Sequence, residues 1–505
     1  MNKPFIEKKI RLDRFKKMYK SKSFNGTFWI LGGGSIGASI IFLLLHVFTI
    51  TEKNIVVFDK DPQVGIKINK HYGDNTGNSV NRVKFVNVDI VRNNYKQVLS
   101  DIKKNDIIVD CSYCINSCDL LKFCNSIGCS YINSSIEDWE DDKDDPNPVN
   151  NTLMGRTLKI EKIGKELPAS HTNFIVAMGC NPGNVSIWTR LALHLINQRD
   201  YGFKNYKTFG ELAYKMGINV VHISEKDTQI TKDPKKHNEY CNTWSGTAES
   251  MYEEASASAE ASWGTHEKTI PKDAVFDPLT NNNYLTLKRR GMSTFLTSYT
   301  PISKNYIGMM VRHDEAFTIG RKLSYYENGK LIHKPSVYYV YRPTDSTIQS
   351  FYELKEHNMK YQAQRRLLTH DIIDGADELG VTFFLENGKI YWIGSLLDIH
   401  EAREFYGEKY KDIINATTLQ VVAGYLSGIM YIVDLINQNK YLGVMCPDDL
   451  PFAELFNYSG PFFGNFFVME VQDWKEIVKY NPEVDAETID NNTKKWQFAD
   501  FLVEF

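Results

Sequence analysis

The sequence predicts an α/β protein with two folded parts, a doubly wound parallel sheet and a later α+β domain whose sheet is mainly antiparallel. Short apolar runs alternate with helix-length segments from residue 27 to about 135, and a run of glycines follows the first of them. Beyond residue 185 the runs become longer and alternate as antiparallel strands do, as in KPSVYYVYRP and GVTFFLENGKIYWIGSLL.

The predicted strands of the first part follow one another along the chain. They are TFWIL (27–31), NIVVFD (54–59), VKFVNVD (83–89), DIIVDCS (106–112), CSYIN (129–133) and NFIVAMGCNPG (173–183). In the second part, INVVHISEKD (218–227) is a strand and ENGK (386–389) is a hairpin turn. NATTLQVVAGYLSGIMYIVDLI (415–436) is an apolar helix that we expect to pack back on the first domain.

A chain of 505 residues is too long for one compact core, and we expect about two to four domains. The expected divisions are an N-terminal extension (1–25), a parallel-sheet domain (26–184, completed by the helix near 415–436), an α+β domain (185–410) and a C-terminal extension (437–505).

The composition argues against several classes of function. A net charge of -3 and a pI near 6.5 give no electrostatic basis for binding nucleic acid. The basic N-terminus lacks the apolar core of a signal peptide, and the apolar run from Ala38 to Phe48 is too short to span a bilayer. We therefore expect a cytoplasmic protein that binds neither nucleic acid nor a membrane.

The eight cysteines do not follow a disulfide or metal pattern. Five lie between Cys111 and Cys129, and the first two of these form a CxxC pair with Cys114 as its second member. No second CxxC or His pair supplies the other ligands that zinc requires. We expect reduced thiols and no metal site.

The turn WILGGGSIG has the spacing of a dinucleotide-binding loop. Gly32, Gly34 and Gly37 form GxGxxG directly after a strand and at the start of a helix, which is the Rossmann arrangement for holding a pyrophosphate. Asp59 ends the second strand, about 20 residues later, where a carboxylate binds a ribose 2′-OH and repels a 2′-phosphate. NAD is therefore favoured over NADP, although the neighbouring Lys60 weakens this preference.

Further cofactor contacts are expected where other strands of the first sheet end, because these ends meet at one edge. The complete set of expected cofactor-binding residues is Gly32, Gly34, Ser35, Ile36, Gly37, Asp59, Asp89, Cys111, Ser112 and Ser134. At the same edge Glu137 could project over the nicotinamide. Asn181 precedes a proline that favours an extended bend, and a simple turn explains it as well as a site does.

The second domain contains acidic and aromatic residues that suit a cationic substrate. Candidates in this set are Glu225, Trp244, His266, Glu267, His313, Asp374 and Asp377. A carboxylate pairs with an ammonium group, and an indole face attracts one by a cation–π interaction. Taken singly, each His or Trp is more often a packing residue.

The order of these motifs resembles bacterial-type homospermidine synthases, within the wider saccharopine-dehydrogenase-like superfamily. The matching segments are WILGGGSIG, VDCSYC, NSSIEDW, GCNPG, NTW…WGTHEKTIP, GMMVRHDEA, DIIDGADELGV, YWIGSLL and NATTLQV, from about residue 25 to beyond 430. The segment between Trp244 and Trp263 and the residues after 430 match this family less well.

The resemblance implies an NAD-dependent aminobutyl transfer carried out by a homodimer. Putrescine, or spermidine as an alternative donor, would be oxidised to an imine, exchange ammonia for a second diamine, and be reduced to homospermidine by the NADH formed first. For this chemistry the expected catalytic residues are Glu225, Glu137, Trp244, His313 and Asn181, and the expected substrate-binding residues are Asp374, Asp377 and Glu267. Trp244, Glu225 and His313 are the ones that the resemblance itself implies. Glu225 and Glu137 are the candidate bases, and either Asp374 or Asp377 would seat the distal ammonium.

Two other functions remain open from the sequence. One is a net oxidoreductase such as a saccharopine or carboxyspermidine dehydrogenase, which would need a cation such as Arg312 for a substrate carboxylate. The other is a non-catalytic sensor that binds NAD.

Overall fold

The structure, a computed structural model, describes residues 7–73, 83–142, 148–167, 172–244, 248–280, 283–475 and 496–503. The strands of its two large sheets are β1 (Phe28–Leu31), β2 (Ile55–Asp59), β3 (Lys84–Asn87), β4 (Ile107–Asp110), β5 (Ser130–Asn133), β6 (Asn173–Ile175), β7 (Ile218–Asp227), β8 (Ser258–Ser262), β9 (Ala274–Phe276), β10 (Tyr284–Arg290), β11 (Phe295–Thr300), β12 (Lys304–Val311), β13 (Ser336–Arg342), β14 (Ala376–Leu385), β15 (Ile390–Asp398), β16 (Gly443–Met445), β17 (Asn465–Glu470) and β18 (Leu502–Val503).

The helices of eight or more residues are α1 (Lys8–Lys17), α2 (Ser35–Val47), α3 (Pro62–Tyr72), α4 (Ser117–Ile127), α5 (Leu153–Glu166), α6 (Asn184–Ile196), α7 (Phe209–Met216), α8 (Ala248–Ser256), α9 (Asp314–Lys322), α10 (Asp345–Glu356), α11 (Ile399–Tyr406), α12 (Ala416–Asn437) and α13 (Phe452–Ser459). Short two-stranded ribbons lie outside the large sheets, at Lys22–Ser23 with Phe48–Thr49, Ile230–Thr231 with Ile372–Asp374, Glu239–Asn242 with Gln364–Leu367, and Tyr325–Glu327 with Lys330–His333.

The first sheet is parallel throughout and confirms the predicted doubly wound architecture. Its strand order is β16-β6-β5-β4-β1-β2-β3, in which β3 to β6 reproduce the Rossmann order 3-2-1-4-5-6. Apolar side chains cover both faces. Ile30, Val57 and Val109 pack in the core that includes α2 and α12, while Leu31 and Phe58 pack in the core that includes α4. The carboxyl ends of the strands therefore form one edge that is open to a ligand.

The apolar helix α12 belongs to the core of the protein. It passes a length and hydropathy test for a membrane span, with mean hydropathy 1.7, but 78% of its most apolar stretch is buried. Its packing partners include α2, α13 and strands β5 and β6 of the first sheet. Gly424 lies so close to the loop after β6 that an added Cβ would come within 2.0 Å of the Gly179 carbonyl oxygen. The small residue thus lets α12 press against the loop that carries Asn181.

The second sheet has eleven strands and is mainly antiparallel, as predicted. Its main path is β9-β10-β8-β13-β7-β14-β15-β17, and β11, β12 and β18 extend it through β13. The pair β7 and β13 is parallel, while β7 with β14 and β14 with β15 are antiparallel. The long central strands β7, β13 and β14 provide the face on which the site is built.

The ends of the chain differ from the extensions expected at 1–25 and 437–505. β16 forms an edge of the first sheet, whereas β17 and β18 pair with β15 and β11 of the second. At the N-terminus, buried Arg11 forms an ion pair with Glu401 at 2.5 Å. The described parts of both segments are thus packed on the folded body, the first through an ion pair and the second through strand pairing. Residues 1–6, 476–495 and 504–505 of the two extensions lie outside the described residues.

Candidate active site

The glycine turn lies at the open edge of the first sheet. Gly32 has φ +84°, and a Cβ there would lie 2.7 Å from the Cys111 carbonyl oxygen. A Cβ on Gly37 would lie 2.1 Å from the Gly32 carbonyl oxygen, so its role is the close packing of α2 on β1. Gly34 is the residue before α2, and the amino end of that helix faces the cleft. The turn therefore has the space and the backbone orientation that a pyrophosphate requires.

Asp59 fixes this turn from the end of β2. Its Oδ2 accepts a hydrogen bond from the Gly33 amide at 2.8 Å, and its Oδ1 accepts one from the Asp61 amide at 2.9 Å. Each carboxylate oxygen has further lone pairs, so both can still accept a ribose hydroxyl. Asp59 lines the cleft together with Lys60 and Asp89. This arrangement fits a dinucleotide with a free 2′-OH.

The other expected cofactor residues take different positions. Cys111 and Ser112 line both the cofactor cleft and the pocket beyond it, and Ile36 and Ser134 line the inner pocket. Ser35 is nearly buried, and its hydroxyl donates to the Ile413 carbonyl oxygen rather than facing the cleft. Only the backbone of Ser35 is therefore placed for a phosphate.

The cleft continues into a smaller pocket between the two sheets. The cofactor cleft has a volume of about 1060 Å³ and the inner pocket about 120 Å³. Cys111, Ser112 and Tyr113 line both, and residues of the second domain form the opposite wall. A group bound in the inner pocket would therefore lie at the inner end of a bound dinucleotide, where its nicotinamide is expected.

Three carboxylates share one face of the second sheet behind this pocket. Glu225 and Asp227 alternate along β7, and Asp377 lies directly opposite Asp227 in the antiparallel ladder with β14. All three are buried, at 0–1% exposure. No Lys or Arg in the described part of the chain forms an ion pair with any of them. We call Glu225, Asp227 and Asp377 the carboxylate triad.

Burial raises the pKa of each member of the triad. The pKa of Glu225 rises to about 7 and that of Asp227 to about 6, in each case mainly by desolvation. Desolvation and the neighbouring charges of Glu225 and Asp227 hold the pKa of Asp377 well above its usual range. A buried anionic site of this kind becomes favourable when a cation enters it.

Hydrogen bonds orient Glu225 toward the cofactor domain. Its Oε2 accepts hydrogen bonds of 2.6 Å from Asn181 Nδ2 and from the Tyr339 hydroxyl. Asn181 comes from the loop after β6 and lines the inner pocket. Glu137 lines the same pocket and accepts a 2.8 Å hydrogen bond from the Ser135 hydroxyl. Two of the predicted bases are therefore close to the expected nicotinamide position.

Aromatic rings cover the triad. Trp244 packs on Tyr341 with ring centroids 5.5 Å apart, and it meets the His313 ring edge-on at 5.9 Å. The rings of Tyr339 and Tyr341 stack at 5.6 Å on the sheet face that carries Glu225. Faces of this kind attract alkylammonium groups by cation–π interactions.

His313 is held as an imidazolium at the same pocket. Burial alone would lower its pKa, but ion pairs with Glu315 at 2.9 Å and Glu254 at 3.1 Å outweigh burial and raise the pKa well above its usual value. Because both ring nitrogens face carboxylates, the ring is fixed in place. His313 therefore stays charged at neutral pH and presents a fixed ring, rather than a free N–H donor, to the pocket.

Two residues expected at the substrate lie elsewhere. Asp374 is 70% exposed and faces His400 at the surface, because it precedes the turn into β14 rather than lying on its inner face. Glu267 is buried, but its oxygens accept hydrogen bonds from the Ser336 hydroxyl at 2.7 Å and the Phe498 amide at 3.0 Å. Its place is thus under the C-terminal segment, away from the pocket.

Several residues of the site were not anticipated from the sequence, one behind the pocket and three that line it. Asp227 joins the triad, and its i, i+2 spacing from Glu225 on a strand was a usable signal. Thr417, Val421 and Tyr425 line the pocket from α12, at four-residue spacing on one helix face. The Tyr425 hydroxyl donates to the Asp110 carbonyl oxygen at 2.6 Å, which ties α12 to the end of β4.

Arg312 is already paired and does not offer a free cation to a substrate carboxylate. Its Nη2 lies 2.8 Å from Glu253 Oε1, and its Nη1 donates to the Asn151 carbonyl oxygen at 3.1 Å. Arg156 binds the same Glu253 oxygen at 3.1 Å. The cation that an amino-acid dehydrogenase would need for its substrate carboxylate is therefore already engaged in ion pairs within the protein.

No group of three or more His, Cys, Asp or Glu side chains suited to a metal occurs within the described ranges, and none of the eight cysteines forms a disulfide. The glycine turn, Asp59 and the open sheet edge fit a dinucleotide, and the triad beside them fits an amine. Fold and site together define the class of dinucleotide-dependent enzymes, with a pocket whose carboxylates fit a cation.

Comparisons with known proteins identify the particular relatives. Residues 28–169 match the family described as the saccharopine dehydrogenase NADP binding domain. The chain is 28% identical to a homospermidine synthase of Mesorhizobium japonicum (94% of this chain, 96% of the relative) and 27% identical to one of Blastochloris viridis (95% and 98%). The crystal structure of the Legionella pneumophila homospermidine synthase in complex with NAD superposes with a TM-score of 0.83 at 28% identity, over 96% of this chain and 99% of that one. The resemblance predicted from the motifs is thus confirmed along nearly the whole chain.

Proposed function

We propose that the chain is a homospermidine synthase. It transfers an aminobutyl group from putrescine or spermidine to putrescine, forms homospermidine, and releases ammonia or diaminopropane. The cofactor is NAD, which when bound supplies hydride acceptance and donation, and which is regenerated within each cycle. Similarity to homospermidine synthases over at least 94% of the chain supports this assignment.

The carboxylate triad is the single observation that carries the proposal. A buried site with three carboxylates, no paired Lys or Arg among the described residues and a Trp244–Tyr341 wall suits alkylammonium groups. An amino-acid substrate would bring its own carboxylate into this site, where the triad would repel it. A diamine instead supplies two cations and a four-carbon apolar linker.

Each residue of the pocket then has a separate task. Glu225 removes a proton from the donor ammonium, because an amine must be neutral before it can react. Asp377 binds the distal ammonium, and Trp244 covers the alkyl chain and its charge. His313, held between Glu254 and Glu315, closes the side of the pocket.

Gly32, Gly34 and Asp59 hold the dinucleotide, while Asn181 and Glu137 mark where its inner end meets the substrate. We also propose that the enzyme acts in the cytoplasm as a homodimer. Size-exclusion chromatography with light scattering tests the oligomeric state.

The experiment that tests the function is incubation of the purified chain with putrescine and catalytic NAD⁺. Homospermidine and ammonia should accumulate without net NADH, as followed by mass spectrometry and absorbance. Stoichiometric NADH, or turnover that requires an α-amino acid, would instead identify a dehydrogenase. NAD binding without any product would identify a sensor.

A further inference from the structure

The carboxylate triad contains more acid groups than the binding of one ammonium needs. Glu225 is hydrogen-bonded to Asn181, which lines the pocket. Asp227 lies farther along β7, and its hydrogen-bond partners are other residues of the protein interior. The Asp227 carboxylate accepts hydrogen bonds from the Gln229 amide at 2.9 Å and from the Gln229 side chain at 3.1 Å, and Thr243 donates to its other oxygen. A buried carboxylate without a cation is costly, so its presence here requires an explanation.

In the proposed reaction the donor loses a proton as well as a hydride, and both are needed again in the last step. When R–CH2–NH3⁺ becomes the iminium R–CH=NH2⁺, one hydride and one proton leave the substrate. Exchange with a second ammonium releases NH4⁺ and gives R–CH=NH⁺–R′ without changing the charge. Addition of the hydride and one proton then gives R–CH2–NH2⁺–R′, so the proton lost first is used again at the end.

We propose that Glu225, Asp227 and Asp377 together form a proton store, which holds the proton removed from the donor ammonium until the reductive half of the reaction consumes it. This inference rests on the proposed function, since it concerns the proton that accompanies the hydride. Glu225 exchanges the proton with the donor amine, and Asp377 meets the distal ammonium. Asp227 acts through these two as a positioning residue.

The geometry supports shared rather than independent protonation. Asp227 and Asp377 face each other across β7 and β14, and the Asp377 carboxyl also meets the Glu225 carboxyl. Carboxylates this close cannot all be ionised in a buried site, so they titrate as a group. Burial and mutual repulsion raise the pKa of all three members.

Few other titratable groups are placed to take over this role. The groups that face the triad from neighbouring elements are Tyr306 on β12, Tyr339 and Tyr341 on β13, His313 before α9, Glu315 on α9 and Cys180 in the loop after β6. Burial holds the pKa values of the three tyrosines and of Cys180 well above their usual ranges, so these groups stay protonated. His313 is fixed as an imidazolium by its two carboxylate partners.

The strand also offers a matched control. Glu378 follows Asp377 in β14 and is equally buried, but it lies on the opposite face of the sheet. There it accepts hydrogen bonds from the Ser303 hydroxyl at 2.6 Å and from the Ser303 amide at 3.1 Å. Glu378→Gln therefore removes a buried carboxylate from the same strand without touching the triad.

The test follows protons and NADH in the same experiment. The chain with bound NAD⁺ is mixed rapidly with putrescine in weakly buffered solution that contains a pH indicator. Binding of the diammonium should displace a proton from the triad, because a cation favours ionised carboxylates. The later phase, in which NADH absorbance rises, should release well below one proton per NADH, about 0.3 or less.

The variants decide whether the triad is the store. Asp227→Asn should raise proton release in the NADH phase toward one per NADH and reduce the displacement on binding, whereas Glu378→Gln should match the unmodified protein. Asp227→Glu should restore retention of the proton, which a merely structural role would not require. One proton per NADH in the unmodified protein, or an unchanged ratio in Asp227→Asn, would overturn the proposal.

A separate measurement distinguishes this inference from the proposed function. Calorimetric titration with putrescine in the absence of NAD, in buffers of different ionisation enthalpy, should detect about half a proton or more released per ligand near pH 7. Absence of that release overturns the store even if homospermidine is made. Proton release on binding without any NADH formation shows a proton-linked diamine site but refutes both the synthase and the role of the store in it.

Discussion

Asn181 and Glu225 are joined by a 2.6 Å hydrogen bond that links the loop after β6 of the first sheet to the central strand of the second. Tyr339 donates to the same Glu225 oxygen at 2.6 Å. The carboxylate is thus oriented by one residue from each domain, and its distance from the cofactor cleft depends on how the two sheets meet. Substitution of the residues that hold this junction should therefore change the rate of the chemical steps more than the affinity for the cofactor.

Glu225→Gln should lower kcat by about 10²- to 10⁴-fold, because the amide cannot accept the proton of the donor ammonium. The affinity for NAD should change little, since Glu225 does not line the cofactor cleft. Steady-state product formation and an NAD titration by tryptophan fluorescence measure the two effects. Full activity in this variant would mean that the base lies elsewhere, with Glu137 as the next residue to test.

The pH dependence of kcat/KM should have an acidic limb set by Glu225. Burial raises the pKa of this carboxyl to about 7, so below that pH it is protonated and cannot act as a base. Activity should therefore rise as the pH increases through about 7, and the limb should disappear from the residual activity of Glu225→Gln. A limb near the ordinary glutamate pKa would show that the site is more hydrated than the structure indicates.

Trp244→Ala should impair turnover while leaving NAD binding nearly unchanged. The indole packs on Tyr341 and meets His313, so its removal opens the pocket and deletes a cation–π surface that contributes about 0.5–2 kcal/mol. Trp244→Phe keeps an aromatic face and should retain a larger part of the activity. Equal activity of the Ala and Phe variants would argue that the ring only fills space.

Much of the cofactor half was predictable from the sequence, and less of the substrate half was. The glycine turn and Asp59 are local features, because neighbouring residues in one strand–turn–helix unit make the site. The triad is not local: Asp377 meets Asp227 only through strand pairing across about 150 residues of chain. Thr417 and Tyr425 likewise reach the pocket only because α12 packs against the first sheet. The apolar sequence of α12 predicts this packing but does not determine which face of the helix turns toward the pocket.

Asp377→Asn and Asp374→Asn provide a direct test of where the distal ammonium binds. Asp377 is buried in the triad, whereas Asp374 is 70% exposed beside His400. Asp377→Asn should raise the KM for putrescine by about tenfold or more, since a buried charge-assisted contact is worth about 1.5–3 kcal/mol. Asp374→Asn should behave like the unmodified protein. The reverse result would move the ammonium seat to the surface before β14.

Asp59→Asn should separate the two roles of the carboxylate at the glycine turn. The amide oxygen can still accept the hydrogen bond from the Gly33 amide, so the turn should stay folded even though the bond from the Asp61 amide is lost. The negative charge that repels a 2′-phosphate is lost, while Lys60 and the partly exposed cleft remain. The preference for NAD over NADP should therefore fall by about tenfold, equivalent to about 1.4 kcal/mol, through tighter NADP binding and modestly weaker NAD binding. Titration of both dinucleotides into both proteins measures this ratio, and Asp89→Asn at the same cleft is the control for a nonspecific charge effect. An unchanged ratio would mean that Asp59 only braces the turn and that another group selects the ribose.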